Sequence, residues 1–258
     1  MNNLRNFDNK IMEKMRKGTP SIGVFLLSGS AFIAEAMAQH PIDWMLIDME
    51  ASHATKADLM HILQALNGYS VTPLIRISYQ NKHLIESGLD FGAKGVMIPK
   101  VDNRQQGEDM VSACFYPPKG NRGINCIRAS GYYLNAAAYL RQINSAVITI
   151  VQIESKESIE NLEDIAGIPE LDILFIGLGD LAASYGQIGS VSGKFMDEAR
   201  EKVLQVCKKH HKIPGIFAHS IEVAQQYLEE GFLFLAIGND IKFLHHGLAD
   251  ELRNTLGR

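Results

Sequence analysis

Ala146-Val-Ile-Thr-Ile-Val-Gln-Ile-Glu154 reads as a strand, residues 156–166 as a helix, and Asp172-Ile-Leu-Phe-Ile-Gly177 as a second strand that exits through Leu178-Gly179-Asp180. Both strands are nearly unbroken β-branched and apolar runs, the pattern of parallel strands buried on both faces. The helix between them has Ile159, Leu162, Ile165 and Ala166 at core spacing, with Ser155 placed as its N-cap. Together they form a βαβ unit. A carboxylate follows each strand, Glu154 after the first and Asp180 just past the second. Parallel α/β folds carry their chemistry at that end of the strands. Two carboxylates on neighbouring strand ends suit a hard divalent cation. The alternative is that each acid caps the helix that follows it.

Working outward, the same alternation recurs along the whole chain. Strands are expected at 21–27, 43–50, 72–77, 95–99, 213–217 and 232–237, and helices at 31–39, 56–67, 83–91, 194–211, 221–230 and 240–256. An N-terminal helix over 6–17 is expected to close the bottom of the barrel. Eight strand–helix alternations with short connections predict a single (β/α)8 TIM barrel over residues 1–258. The length, 258 residues, matches the roughly 250 typical of that fold. Residues 116–139 hold Pro117, Pro118, Gly120, Arg122, Gly123 and Arg128, and read as an elaborated loop.

Composition excludes several classes of function. A net charge of −4 gives no reason to expect nucleic acid or an anionic membrane as partner. Cys114, Cys126 and Cys207 form no CxxC pair and indicate a reducing compartment. Residues 1–20 lack the apolar core of a signal peptide, and no apolar run reaches the ~18 residues that cross a membrane. A cytoplasmic protein is expected.

The strand ends supply the candidate chemistry. Asp48 and Glu50 fall on one side of the second strand by period-two alternation. Arg76 is a charge inside a strand, and a barrel-interior arginine requires a carboxylate partner, Glu50 or Glu154, or an anionic ligand. Gln152 precedes Glu154 on the same face. Gly177 and Gly179 let backbone approach a ligand before a helix start. His210-His211 and His245-His246 are adjacent on helices, about 100° apart, and do not chelate one ion. His219 follows the seventh strand and could line the mouth. Tyr132 and Tyr133 are expected at a subunit contact.

The order of Ile47-Asp-Met-Glu50, Pro73-Leu-Ile-Arg76, Leu89-Asp-Phe-Gly-Ala-Lys-Gly95, Tyr116-Pro-Pro-Lys-Gly-Asn-Arg-Gly123, Val151-Gln-Ile-Glu154, Phe175-Ile-Gly-Leu-Gly-Asp-Leu181 and Ala236-Ile-Gly-Asn-Asp240 resembles the metal-dependent class II pyruvate aldolases of the HpcH/HpaI family. The resemblance implies a barrel in a homo-oligomer, often a hexamer, whose final helix is exchanged between subunits. It implies a Mg²⁺, Mn²⁺ or Co²⁺ ion held by Glu154 and Asp180. It further implies that Arg76 stabilises a pyruvate enolate formed at the metal, that Gln152, Gly177, Gly179 and Asp180 contact substrate, and that the partners are a small 2-keto acid and an aldehyde. The expected reaction is retro-aldol cleavage of a 4-hydroxy-2-keto acid to pyruvate and an aldehyde.

Two positions depart from the family pattern. The family places an acid/base histidine, oriented by the aspartate, where this chain has Ala51. His53, two residues on, and Glu50 are the substitutes the sequence offers beside Asp48. Leu178-Gly179 stands where the family commonly has proline and a small residue. General acid–base help contributes about 10²–10⁴-fold. Its loss leaves two alternatives on the same site, decarboxylation of oxaloacetate or keto-acid binding without turnover.

Overall fold

A computed structural model describes residues 9–257. The apolar runs pair in chain order as β1 Ser21–Leu26, β2 Trp44–Asp48, β3 Thr72–Arg76, β4 Gly95–Ile98, β5 Ile148–Ile153, β6 Ile173–Ile176, β7 Ile213–Phe217 and β8 Phe234–Asn239. Every neighbouring pair is parallel, and β8 returns to β1, so the sheet closes into the expected (β/α)8 barrel.

Period-two alternation splits the apolar residues into two cores. Inward-facing Phe25, Trp44, Leu46, Leu74, Met97, Ile150, Phe175 and Phe234 fill the barrel, while the outward set packs against the helices. Trp44 stacks on Phe234 with ring centroids 4.0 Å apart. Gly23 permits this: a Cβ there would stand 2.0 Å from the Trp44 ring. The helix Lys10–Arg16 closes the bottom with Ile11, Met12 and Met15. Residues 6–8 of the expected helix lie outside the described residues.

Three expectations are corrected. Residues 156–166 form two short helices, Lys156–Glu160 and Leu162–Ala166, not one. The break falls at Asn161, whose Nδ2 donates to the Asp102 carbonyl at 2.8 Å. β2 ends at Asp48, not Glu50, because the Asp48 carboxylate accepts the Glu50 and Ala51 N–H groups at 2.9 and 3.1 Å and turns the chain. β8 runs to Asn239, two residues past its expected end.

The 116–139 excursion is anchored to the helices beside it. Arg122, 2% exposed, pairs with Asp90 at 2.6 Å, and Arg128 donates to the carbonyls of Phe91 and Leu63. The last helix, Asp240–Leu256, buries only its first residue. That residue closes the seam: the Asp240 carboxylate accepts the Leu27 and Ser28 N–H groups at 2.8 and 2.9 Å, tying the exit of β8 to the exit of β1. Leu244, Leu248, Leu252 and Leu256 stand exposed along the rest. No helix among the described residues is long and apolar enough to cross a membrane.

Candidate active site

Arg76 is the centre of the charge network at the carboxyl ends of the strands. It ends β3 directly across from Asp48, which ends β2. Its Nε and Nη2 donate to the two Asp48 oxygens at 3.0 and 2.5 Å, a bidentate pair. Its Nη1 lies 3.1 Å from Glu50 and 3.5 Å from the Gln152 Oε1. The guanidinium also sits 5.5 Å from the centroid of the Phe25 ring. Burial pulls the Arg76 pKa down, but the bonds and charges of Asp48 and Glu50 outweigh it and hold the group above its ordinary value. Of the two partners expected from sequence, Glu50 makes an ion pair and Glu154 does not; Asp48, fully buried, is the stronger partner.

Glu154 follows β5 and is 4% exposed. Its Oε1 accepts the Lys100 N–H and its Oε2 the Gln152 Nε2, both at 2.9 Å. Burial pushes its carboxyl up to about 7, with Asp180 and Glu50 adding to the rise against the Lys100 bond and Arg76. Glu50 is raised too, first by burial, despite Arg76. Asp180 is exposed, in the first turn of the helix Leu178–Ser184. Neither acid acts as an N-cap: Ser155 caps the helix after Glu154, and Gly177 stands at the cap of the other. Gly177 lets the two strand exits close together, since a Cβ there would lie 2.8 Å from the Glu154 Oε2.

One cavity of about 240 Å³ is lined by Arg76, Gln152, Glu154, Gly177, Gly179 and Asp180, with Phe25, Phe175, Phe217, His219 and Asn239 around them. Ala51 lines it as well; His53 does not. His53 is exposed and lines an adjoining open hollow of about 740 Å³ together with Glu50, Ser52, Lys242 and His245. Sequence reading missed the Lys100 N–H, Asn239 and the aromatic wall. Asn239 was hidden because its strand reads as ending at 237. Among the described residues no group of three or more His, Cys, Asp or Glu side chains is placed to hold a metal. Glu154 and Asp180 are the two carboxylates that line the cavity.

A model of the HpcH/HpaI aldolase/citrate lyase family matches residues 21–247. The chain belongs to that family. It is 35% identical over 245 residues to 2-keto-3-deoxy-L-rhamnonate aldolase of Escherichia coli K12, covering 95% of this chain and 92% of the relative. It is 34% identical over 230 residues to 2-dehydro-3,6-dideoxy-6-sulfogluconate aldolase of Pseudomonas putida, covering 89% and 90%. The crystal structure of an HpcH/HpaI aldolase/citrate lyase family protein from Burkholderia cenocepacia J2315 superposes with a TM-score of 0.92 at 30% identity, over 96% of this chain and 99% of that one.

Proposed function

We propose that this chain cleaves a 4-hydroxy-2-keto acid of the 2-keto-3-deoxy type to pyruvate and an aldehyde, or joins them in reverse. Family membership, with relatives at 34% and 35% identity named as aldolases, makes it an aldolase, a carbon–carbon lyase. The names of its relatives support a deoxy sugar acid as substrate and do not favour decarboxylation or binding alone. The observation that carries the proposal is the convergence of Glu154, Asp180, Arg76 and Gln152 on one small cavity.

The donor set fits a divalent cation such as Mg²⁺, Mn²⁺ or Co²⁺. Glu154 is a buried carboxylate whose bonding partners are neutral, and two further acids raise its pKa. A positive charge at that point relieves the burial cost. Glu154 and Asp180 would hold the ion, leaving most of its coordination sphere to water and substrate oxygens. When bound, the ion supplies Lewis acidity to the keto group. Arg76, locked by Asp48 and Glu50, presents a fixed cation where enolate charge develops, with no reorganisation during the reaction. Gln152 sits between Arg76 and Glu154 and orients both. The N–H groups of Leu178 to Asp180, in the first turn of the helix, lack intrahelical acceptors and suit the substrate carboxylate.

Solvent-deuterium exchange into the methyl group of pyruvate, followed by NMR with Mn²⁺, Mg²⁺ or chelator, tests the reading without the aldehyde. Metal-dependent exchange is expected; its absence with every metal overturns the enolate chemistry. Gly177→Ala carries a second expectation. The new Cβ collides with the Glu154 carboxylate, and misplaced support of a ligand costs about 10–100-fold in metal affinity. Calorimetric titration with Mn²⁺ reads the loss, and unchanged affinity counts against Glu154 as a ligand.

The exposed leucines of the last helix support a homo-oligomer, a hexamer by the family resemblance, in which that helix packs on a neighbouring subunit. An apolar hollow of about 490 Å³, lined by Val24, Ile33, Met37, Ile237 and Phe243, lies at its root. Leu248→Glu is expected to shift the protein to smaller species in sedimentation velocity, with the barrel's circular dichroism unchanged.

A further inference from the structure

Carbon–carbon cleavage needs a group that takes the proton of the C4 hydroxyl, and the cavity offers few. Arg76 is committed to Asp48 and Glu50, and Glu154 accepts from Lys100 and Gln152. Asp180 is the second acid of the proposed cation pair. His219, in the loop after β7, is the remaining titratable side chain lining the cavity. Its ring packs on Phe217, with centroids 5.4 Å apart, and Phe217 packs edge-on against Phe25, the ring beneath Arg76. This aromatic chain fixes the imidazole on the same wall as the guanidinium. Its backbone is held as well, the Lys242 Nζ donating to the His219 carbonyl at 2.7 Å.

We infer that His219 is the acid/base of the cleavage. The inference rests on the aldolase reading above. The neutral imidazole removes the C4 hydroxyl proton. The C3–C4 bond breaks, its electrons pass into the C2 carbonyl as enolate, and C4 leaves as the aldehyde. The imidazolium then returns the proton to C3, giving pyruvate, so protons and electrons balance without a further reactant. Partial desolvation of the ring against the cavity wall, with the charge of Lys242, holds the imidazole below its ordinary pKa, which keeps it neutral and able to accept at neutral pH. Lys242 is the charged group facing it from the last helix; Arg76, Glu154 and Asp180 face the cavity from the other strand ends.

The test is turnover of 2-keto-3-deoxy-L-rhamnonate by the full-length metal-loaded protein and its His219→Ala and His219→Asn variants. A fall in kcat of about 10²–10⁴-fold is expected with KM within threefold, because proton transfer is lost and binding is kept. Added imidazole is expected to restore turnover to His219→Ala, a rescue that a structural role does not give. His219 is exposed, so the fold tolerates both changes, and circular dichroism checks this. The inference is overturned if His219→Ala keeps kcat within fivefold, if imidazole gives no rescue, or if His53→Ala loses turnover while His219→Ala keeps it. A wild-type protein that neither cleaves nor exchanges pyruvate protons overturns the aldolase reading, and this inference with it.

Discussion

Arg76→Ala is expected to lower kcat by about 10²–10³-fold, the usual effect of deleting one preorganised charge-stabilising donor. It is also expected to destabilise the protein by about 3 kcal/mol, because removing one member of a buried ion pair strands the other. The stranded group is Asp48, fully buried and bound by both guanidinium donors. Arg76→Lys keeps a charge but not the fork, so it should recover part of the stability and little of the rate. Asp48→Asn in the Arg76→Ala background should return stability without activity, since the neutral amide needs no cation. Steady-state kinetics beside urea unfolding separates the two effects. An Arg76→Ala protein as stable as wild type would show that the pair contributes nothing to the fold.

Glu154→Gln is expected to abolish metal-dependent turnover and, in chelator at pH 8, to make the protein more stable. The folded-state pKa of Glu154 is raised, so between 4.5 and about 7 the folded protein binds more protons than the unfolded chain. Stability of the metal-free wild type therefore falls as pH rises through that window and levels off above it. The drop attributable to Glu154 is roughly 3 kcal/mol if the full shift is realised. Glutamine stays neutral and should flatten the profile. A divalent cation should reverse the loss in wild type, by about 2.7 kcal/mol at a hundredfold excess over Kd, and leave Glu154→Gln unmoved. Thermal unfolding from pH 5 to 8, with EDTA or Mn²⁺, reads all of this. Parallel pH profiles for the two proteins would remove Glu154 as the titrating group.

The barrel was legible because each strand is a local apolar run and each helix carries its own periodicity. β7 and the helices Ile221–Glu230 and Asp240–Leu256 fall on their expected bounds. What was hidden depends on contacts distant in sequence. The break at Asn161 answers to Asp102, 59 residues away, while its local spacing reads as one helix. The partner of Arg76 was read as Glu50 or Glu154, yet strand register puts Asp48 directly opposite. The expected strand ends at 50 and 77 set Glu50 against Ile77, so the pairing follows only once the turn made by the Asp48 carboxylate ends β2. His53 was drawn forward by its nearness in sequence to Ala51, but the turn sealed by Asp48, with Ser52 bonded back to the Asp48 carbonyl, carries it out to the neighbouring hollow.

Asp240 separates two histories within one chain. Its carboxylate clasps Leu27 and Ser28, so the barrel is sealed by the first residue of a helix that stands exposed from Leu244 onward. The proposed assembly face begins only after the first turn, because Lys242 still reaches back to the His219 carbonyl at 2.7 Å. In the proposed oligomer, substitutions at the exposed Leu244, Leu248, Leu252 and Leu256 would remodel how copies associate without redrawing the strand ends that line the cavity. Under that proposal, selection can tune association and reaction separately, with the turn from Asp240 to Phe243 as the fixed point between them.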